Sequence, residues 1–370
     1  MGSIPTHPPH PSASSPSLIL TNPTPAERRK TWSLTHPKWG PVLSLQDYLS
    51  REAYLMTVPL AKDGGLIHWI LTDSSSRPDN RPIYSSCEAL RKHAICSRPD
   101  GTITDGLSYG IGSVFTDPQY RGRGYAGRMM TELARRLKQM ENVLFTVLYS
   151  DIGKEFYAKR GWLPYPSWHV AFPALKDEGG GGGKAKKIGY HELAELCCVD
   201  ERVVRERMID VKGTGVALVP GLEQMLWHLM REDYMTKRIF GRTPEVRGAV
   251  VGEDGRRVWA VWTRGYYGGL EKVEGNTMHV LRVVVEDEAA EMGGLVQGFK
   301  EIVRIAQNEA CEWRVKDVQI WNPEGVVRRL VEGCGLTHEF VERENDSIPS
   351  LMWHGEGEVE WVANEKYGWC

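Results

Sequence analysis

The most informative stretch of the chain is Gln119-Tyr120-Arg121-Gly122-Arg123-Gly124-Tyr125-Ala126. It follows a predicted strand, 109–116, which ends at Asp117-Pro118 because proline has no backbone N–H to donate to a strand ladder. A predicted amphipathic helix comes directly after it, with apolar residues at spacings of three and four: Met129, Met130, Leu133 and Leu137. The order strand, glycine-rich loop and helix predicts a place where the backbone approaches a ligand closely.

The residues of this loop favour an anionic ligand. Gly122 and Gly124 let the backbone approach the ligand without a side chain between them. The helix begins with free N–H groups and a partial positive charge, and Arg121 and Arg123 add two full charges. A pyrophosphate would fit such a site, whereas an ordinary tight turn with solvated arginines is the alternative. The loop is neither a dinucleotide-binding G-x-G-x-x-G nor a phosphate-binding G-x-x-x-x-G-K-[ST].

Further elements are predicted on both sides of the loop. Downstream, residues 143–149 form an apolar strand, and a short helix runs from Asp151 to Arg160 and ends at Gly161. Upstream, the pattern predicts a strand at 18–20, a helix at 46–56, strands at 66–71 and 83–87, and a short helix at 88–94.

Composition bounds the class of protein. The chain has 370 residues with 46 basic and 48 acidic side chains, so it lacks the basic surface that nonspecific nucleic-acid binding needs. No stretch approaches the length of a membrane span. Its seven cysteines are scattered without a C-x-x-C pair, which favours a reducing compartment and no zinc or other metal site. Without an export or import signal, we expect a cytoplasmic protein.

Two low-complexity segments divide the chain. Residues 1–17 are rich in Pro, Ser and His and are predicted to be a disordered tail. Residues 176–187 contain five consecutive glycines and are predicted to be a linker. The predicted domains are therefore 18–175 and 188–370.

Two motifs in the first domain resemble signatures of the GNAT acetyltransferase superfamily. Arg121-x-x-Gly124-x-Ala126 matches the R/Q-x-x-G-x-G/A motif, with which that family holds the pyrophosphate of acetyl-CoA. Further along, residues 156–162 resemble F-Y-x-x-x-G-F, with Trp162 replacing the last Phe. The resemblance implies an α+β fold, in which helices flank a mixed central sheet, and an N-acetyltransferase that uses acetyl-CoA.

A narrower resemblance, to the fungal lysine N-epsilon-acetyltransferase family, covers most of the chain. It is carried by the run from Tyr120 to Met130 and by residues scattered before it. These scattered residues are Trp39, Leu45, Tyr48, Arg51, Glu52, 64–66, 69–71, 86–88 and 113–116. That family acetylates the side-chain amine of free lysine in lysine breakdown. Another small amine of secondary metabolism, or protein lysines, are alternative acceptors, and a noncatalytic acyl-CoA-binding module is an alternative of another class.

The GNAT resemblance implies roles for particular residues. Tyr157 matches the tyrosine that donates a proton to the departing thiolate, and free backbone N–H groups near Val114 would face the acyl oxygen. The residues implied to bind acetyl-CoA are Val114, Phe115, Thr116, Arg121, Gly122, Arg123, Gly124, Tyr125 and Ala126. Glu88 is the first candidate for the general base, with Asp151 and Glu155 as alternatives. Because no activated Ser or Cys lies near the motifs, direct transfer to the amine is expected.

A lysine pocket needs a basic residue and a carboxylate, and Arg51, Glu52 and Tyr54 lie in the region expected to cover the site.

The second domain repeats the order of elements of the first. Strands are predicted at 257–264, 278–285, 318–321 and 359–362, and helices at 291–310 and 324–330. The loop before the long helix, 286–291, carries four acidic residues, which would repel a pyrophosphate. We therefore expect a degenerate GNAT-like domain that shapes the substrate pocket and binds no acetyl-CoA; an unrelated α+β domain is the alternative.

Overall fold

The structure of the protein is a computed structural model, and it describes residues 10–176 and 183–369. Its strands form two sheets. The first sheet has the order β1 (Leu18–Thr21), β2 (Leu66–Asp73), β3 (Ile83–Ser97), β4 (Ile103–Thr116), β5 (Val143–Ser150), β15 (Ile348–Trp353) and β6 (Leu163–Pro164), and β9 (Gly215–Leu218) pairs with both β3 and β16 (Glu360–Trp361). The second has the order β14 (Glu339–Glu342), β7 (Trp168–Pro173), β13 (Asp317–Trp321), β12 (Asn276–Val285), β11 (Val258–Tyr266), β10 (Gly248–Val251) and β8 (Lys186–Ile188).

Helices flank both sheets. They are α1 (Pro25–Trp39), α2 (Leu45–Leu55), α3 (Tyr125–Lys138), α4 (Glu155–Ala158), α5 (Leu193–Ile209), α6 (Leu222–Phe240), α7 (Met292–Glu312) and α8 (Gly325–Gly333). Each sheet contains a parallel pair near its centre, β4–β5 in the first and β12–β13 in the second, with antiparallel pairs on either side. The first sheet has a second parallel pair, β9–β16. The predicted α+β class, a mixed sheet flanked by helices with a second region of the same kind, is confirmed. None of the described helices has the length and apolar character of a membrane span.

The helix α3 has the face that its sequence predicts. Met129, Met130, Leu133 and Leu137 are fully buried against the first sheet. Their burial contributes on the order of 1.5–3 kcal/mol for each side chain and fixes the helix beneath the glycine-rich loop. The predicted short helix at 88–94 is wrong, because β3 continues to Ser97 and pairs with β4 along that length.

The two sheets exchange strands, so the chain does not divide between them at the predicted boundary. The strand β7, within the predicted first domain, pairs with β13 in the second sheet. Conversely, β15 comes from the predicted second domain and lies between β5 and β6 of the first sheet. The first sheet would end at β5 without it, exposing unpaired backbone groups. Each sheet therefore needs a strand from the other part of the chain.

The predicted linker and tail also need correction. Residues 177–182 lie outside the described residues, but Lys186 and Lys187 form part of β8, paired with β10. Of the predicted disordered tail, residues 1–9 lie outside the described residues, whereas residues 10–17 pack over α3. The Tyr125 hydroxyl donates to the carbonyl of Pro11 at 2.6 Å, and Arg128 donates to that of Ala13 at 3.1 Å. Side chains of α3 thus satisfy backbone carbonyls of the segment.

Candidate active site

The strands β4 and β5 separate at their carboxyl ends. Their parallel pairing runs from Leu107 opposite Val143 to Ile111 opposite Leu148, and no pair follows. A bulge in β4 begins there, since Gly112 pairs with Glu88 but Phe115 pairs with Ser86, and Ser113 between them has a φ of 52°. A bulge bends a strand away from its neighbour. The gap leaves the end of β4, residues 112–116, along the wall of a cavity of about 650 Å³.

The glycine-rich loop closes one end of this cavity. Gly122 and Gly124 both have positive φ angles, 75° and 83°, which glycine adopts without strain. Gly124 is the N-cap of α3, and because glycine has no side chain to cap the helix, the first N–H groups of α3 are free to bind an anion. Arg121 donates from Nε to the carbonyl of Thr116 at 3.1 Å, which holds its guanidinium beside the loop. These residues fit the pyrophosphate of acetyl-CoA.

A further arginine of the cavity wall was missed by sequence reasoning. Arg160 packs against the first turn of α3, where a Cβ atom on Gly127 would lie 2.5 Å from Nη2 of Arg160. Gly127 is therefore small to make room for this guanidinium, which also stacks on the ring of Phe156 at 3.9 Å. No sequence signal pairs Gly127 with Arg160, because Gly127 lies in α3 and Arg160 in the turn after α4.

The structure brings nearly all the predicted site residues to the same cavity. Those that line it are Glu88, Val114, Phe115, Thr116, Arg121, Gly122, Gly124, Tyr125, Ala126 and Tyr157. Arg123 is exposed and does not line it. Among residues 10–176 and 183–369, no three His, Cys, Asp or Glu side chains are grouped to hold a metal ion.

Tyr157, on α4, lies at the gap with its side chain buried. Burial, with a smaller contribution from the nearby Cys87, raises the pKa of Tyr157 far above its ordinary value. The phenol is protonated at neutral pH, as an ordinary tyrosine is, and its place at the gap rather than its acidity suits it to donate a proton.

Glu88 lies in the middle of β3, directly opposite His68 of β2. The Ser113 hydroxyl donates to Oε2 of Glu88 at 2.8 Å, and His68 Nε2 lies 3.1 Å from Oε1. Burial alone would raise the pKa of Glu88, but His68 and then Ser113 lower it by more, so the net pKa lies below the ordinary value. Glu88 is therefore a charged proton acceptor at the cavity wall.

The alternative bases are placed differently. Asp151 lines the cavity, and its Oδ1 accepts from the Ser347 N–H at 3.2 Å. Glu155 is exposed, forms an ion pair with Lys159 at 2.9 Å and does not line the cavity. Of the two, only Asp151 faces the space where a reaction would occur.

The α2 residues expected to cover the acceptor site do not all line the cavity. Arg51 and Glu52 line the cavity as an ion pair of 2.6 Å, whereas Tyr54 stacks on Tyr234 with ring centres 5.6 Å apart and does not line it. Burial is the largest influence on Glu52 and raises its pKa, with Arg51 opposing and Glu88 adding to the rise.

Later parts of the chain supply one side of the cavity. Trp227 and Arg231 of α6, Tyr267 after β11, and Trp369 line it. A second cavity, of about 810 Å³, adjoins the first. The residues lining both are Lys38, Trp39, Arg51, Asp151, Arg231, Tyr267 and Trp369. The site is therefore built from both halves of the chain.

The equivalent gap in the second sheet is filled by the chain itself. The parallel strands β12 and β13 pair only from Met278–Val318 to Val280–Ile320. Beyond that point, Arg282 of β12 forms an ion pair with Glu365, and Asn322, after β13, donates to the carbonyl of Asn364 at 2.6 Å. A segment near the C-terminus thus bridges the two strands where the first sheet has its cavity.

The acidic loop before α7 is engaged in structural ion pairs. Glu286 lies 2.6 Å from Arg257, and Glu288 lies 2.7 Å from Arg207.

Two family models match the chain. One, described as the LYC1 GNAT-like C-terminal domain, matches residues 169–370, more than half of the chain, and begins within β7. The other, an acetyltransferase (GNAT) domain, matches residues 105–164, which include the glycine-rich loop and Tyr157.

Relatives match nearly the whole chain. A Yarrowia lipolytica protein named lysine acetyltransferase is 24% identical over 422 residues, spanning 94% of this chain and 98% of its own. Among solved structures, a probable N-acyltransferase from Enterococcus faecalis is similar with a TM-score of 0.55 at 10% identity, covering 90% of this chain and 72% of its own. A GCN5-related N-acetyltransferase from Kribbella flavida gives 0.52 at 15% identity, with coverages of 90% and 70%. At these identities the two structures show the fold alone.

Proposed function

Because this chain belongs to the family of the LYC1 GNAT-like C-terminal domain and is an N-acetyltransferase, we propose that it transfers the acetyl group of acetyl-CoA directly to the side-chain amine of free L-lysine. The observation that carries the proposal is the cavity at the gap between β4 and β5. It joins the glycine-rich loop, Tyr157 and Glu88 to a second cavity bounded by both halves of the chain.

The glycine-rich loop is proposed to hold acetyl-CoA, which supplies an activated acetyl thioester. The free N–H groups at the start of α3 bind the pyrophosphate, with Arg121 held beside them by Thr116. The end of β4 no longer pairs with β5, so its backbone is available to the pantetheine arm and to the acyl oxygen. The residues Val114, Phe115 and Thr116 occupy this stretch.

Two side chains are proposed to move the protons of the reaction. An alkylammonium has a pKa near 10.4 and must lose a proton before it can attack a thioester. Glu88, charged and held by Ser113, accepts that proton, directly or through water. Tyr157, kept protonated by burial, donates to the departing thiolate.

Direct transfer, rather than an acetylated enzyme, is supported by the state of the nearest thiol. Cys87, which precedes Glu88 in the chain, is fully buried. Burial, with a smaller contribution from the charge of Glu88, raises the pKa of Cys87 far above its ordinary value. A thiol so rarely ionised is a poor nucleophile.

Free lysine is favoured over a protein acceptor because several separate elements converge on the site. The amine must reach a space whose walls come from α1, α2, α6 and the segment that ends at Trp369. The name of the Yarrowia relative, lysine acetyltransferase, supports a lysine side chain as the acceptor, whether free or within a protein. Other small amines are alternative acceptors, and the experiment below therefore compares them with lysine.

The experiment is a screen of L-lysine, other amino acids, polyamines and a lysine-containing peptide for thiol release from acetyl-CoA, with the product identified by mass spectrometry. We expect Nε-acetyl-lysine as the main product. Preferred acetylation of the peptide or of a polyamine would refute free lysine as acceptor. Acetyl-CoA binding without turnover on any amine would favour the noncatalytic alternative.

A further inference from the structure

The guanidinium of Arg231 lies at the junction of the two cavities. It projects from α6, and Nη2 lies 3.5 Å from the hydroxyl of Tyr267, at the limit of a hydrogen bond. The ring of Trp369 lies 5.5 Å away. Among the described residues, no carboxylate lies within ion-pair distance of it.

Three other arginines inside the protein have carboxylate partners. Arg247 and Arg264 both contact Glu232, at 2.7 and 2.8 Å, and Arg282 contacts Asp200 at 2.5 Å. Arg343 also has no carboxylate of the described residues in ion-pair distance, but it donates to the Trp168 carbonyl, and its Nε and Nη2 atoms are sealed from solvent. Arg231, in contrast, keeps part of its surface open to the cavities.

An enclosed cation without a counter-ion is costly, because the protein interior solvates charge poorly. Burial would lower the pKa of Arg231, yet Tyr267 and then Glu52 raise it overall, so the side chain stays charged. The Arg231 guanidinium faces a ligand cavity with no carboxylate of the described residues in ion-pair distance, so it is free to pair with an anion of the ligand. A carboxylate matches its planar geometry through two parallel hydrogen bonds.

We propose that Arg231 binds the carboxylate of the acceptor, so that the enzyme selects a free amino acid. The inference rests on the proposed acetylation of an amino acid and adds the residue that recognises it. Glu52 lines the same cavity, with Arg51 bonded to its Oε1 atom, and supplies the opposite charge for the α-ammonium group. An amine without a carboxylate, or a lysine within a peptide, leaves Arg231 unpaired and is disfavoured.

The test compares L-lysine with 1,5-diaminopentane, which has the same chain and terminal amine but no carboxylate. We expect wild-type kcat/KM to be higher for lysine. Arg231→Gln should lower kcat/KM for lysine by about 30-fold or more, the range for removing one partner of an enclosed charge pair, while that for diaminopentane changes by less than about threefold. Acetyl-CoA affinity, measured by calorimetry, should be unchanged.

Arg238→Gln is the matched control. It removes a guanidinium from the same helix, but Arg238 contacts Asp47 at 3.4 Å and lines neither cavity, so both amines should react as with wild type. If Arg231→Gln fails to bind acetyl-CoA through misfolding, Arg231→Lys decides. It keeps the charge without the planar fork, and the lysine-to-diamine ratio should fall severalfold.

Three outcomes overturn the assignment: an equal loss for both amines in Arg231→Gln, an unchanged ratio in Arg231→Lys, or a wild-type preference for diaminopentane. In each of these the protein still acetylates an amine, so acetyl transfer itself stands. Wild-type protein that acetylates neither amine overturns the proposed acceptor and, with it, the role of Arg231.

Discussion

His68 and Glu88 face each other across the antiparallel pair β2–β3, with Nε2 of the imidazole 3.1 Å from Oε1 of the carboxylate. The contact lies in the sheet interior, and both side chains are largely buried. It helps to keep Glu88 ionised despite burial, which is the state that a general base needs.

The first prediction tests this contact through pH. Glu88 has a lowered pKa, to which His68 contributes more than Ser113, so His68→Gln should raise the pKa of Glu88. A higher pKa means that less carboxylate is present at a given acidic pH. The acid limb of the kcat/KM profile should therefore move to higher pH, while the rate at the plateau falls less. Glu88→Gln should lower the plateau by about 100-fold, the range for losing a positioned base. An acid limb that stays in place in His68→Gln contradicts the assignment of Glu88.

The second prediction concerns Tyr157. Tyr157→Phe removes one hydroxyl at the gap and should lower kcat by about 100-fold or more, as expected for loss of a proton donor. Acetyl-CoA affinity should hardly change, because the ring remains. Tyr165→Phe is the control, since its hydroxyl bonds to the Val359 carbonyl at 2.7 Å and it does not line the cavity. Turnover of Tyr157→Phe equal to that of Tyr165→Phe would leave Tyr157 with a packing role.

The third prediction concerns the glycine-rich loop. Arg123 is exposed, so Arg123→Glu should fold normally while placing a negative charge beside the proposed pyrophosphate site. We expect acetyl-CoA to bind about tenfold more weakly, and the deficit to shrink as salt screens the charges. Calorimetry at low and high salt measures both effects. Lys138→Glu, at the opposite end of α3, should leave the affinity unchanged; an equal loss in both variants would point to net charge rather than to the loop.

The fourth prediction concerns stoichiometry. The gap in the second sheet holds the segment around Glu365, which contacts Arg282 of β12, and Tyr367 is fully buried there. Calorimetric titration of the full chain should therefore give one acetyl-CoA per chain. In the Arg123→Glu variant that single site should weaken about tenfold, and no site should keep the wild-type affinity. A second site that survives in that variant would mean that the degenerate domain still binds acetyl-CoA.

Local patterns in the sequence determined the part of the site that is proposed to bind acetyl-CoA. Gly122, Gly124 and the apolar face of α3 are neighbours in the chain, so their order and spacing predict the loop and the helix beneath it. The motif that contains Tyr157 is similarly short. The helix α2 was predicted at 46–56 and is found at Leu45–Leu55 for the same reason.

Tertiary structure alone decided where distant segments meet. The sequence predicts a short helix at 88–94, but cross-strand pairing with β4 keeps this stretch extended and places Glu88 opposite His68. The sequence does not indicate that β15 completes the first sheet, or that Arg231 faces the same cavity as Glu52. Strand pairing and cavity walls join residues far apart in the chain, and their choice depends on which buried surfaces fit together. The loop proposed to bind acetyl-CoA can thus be predicted from neighbouring residues, whereas the proposed pocket for the acceptor amine exists only once both halves have packed.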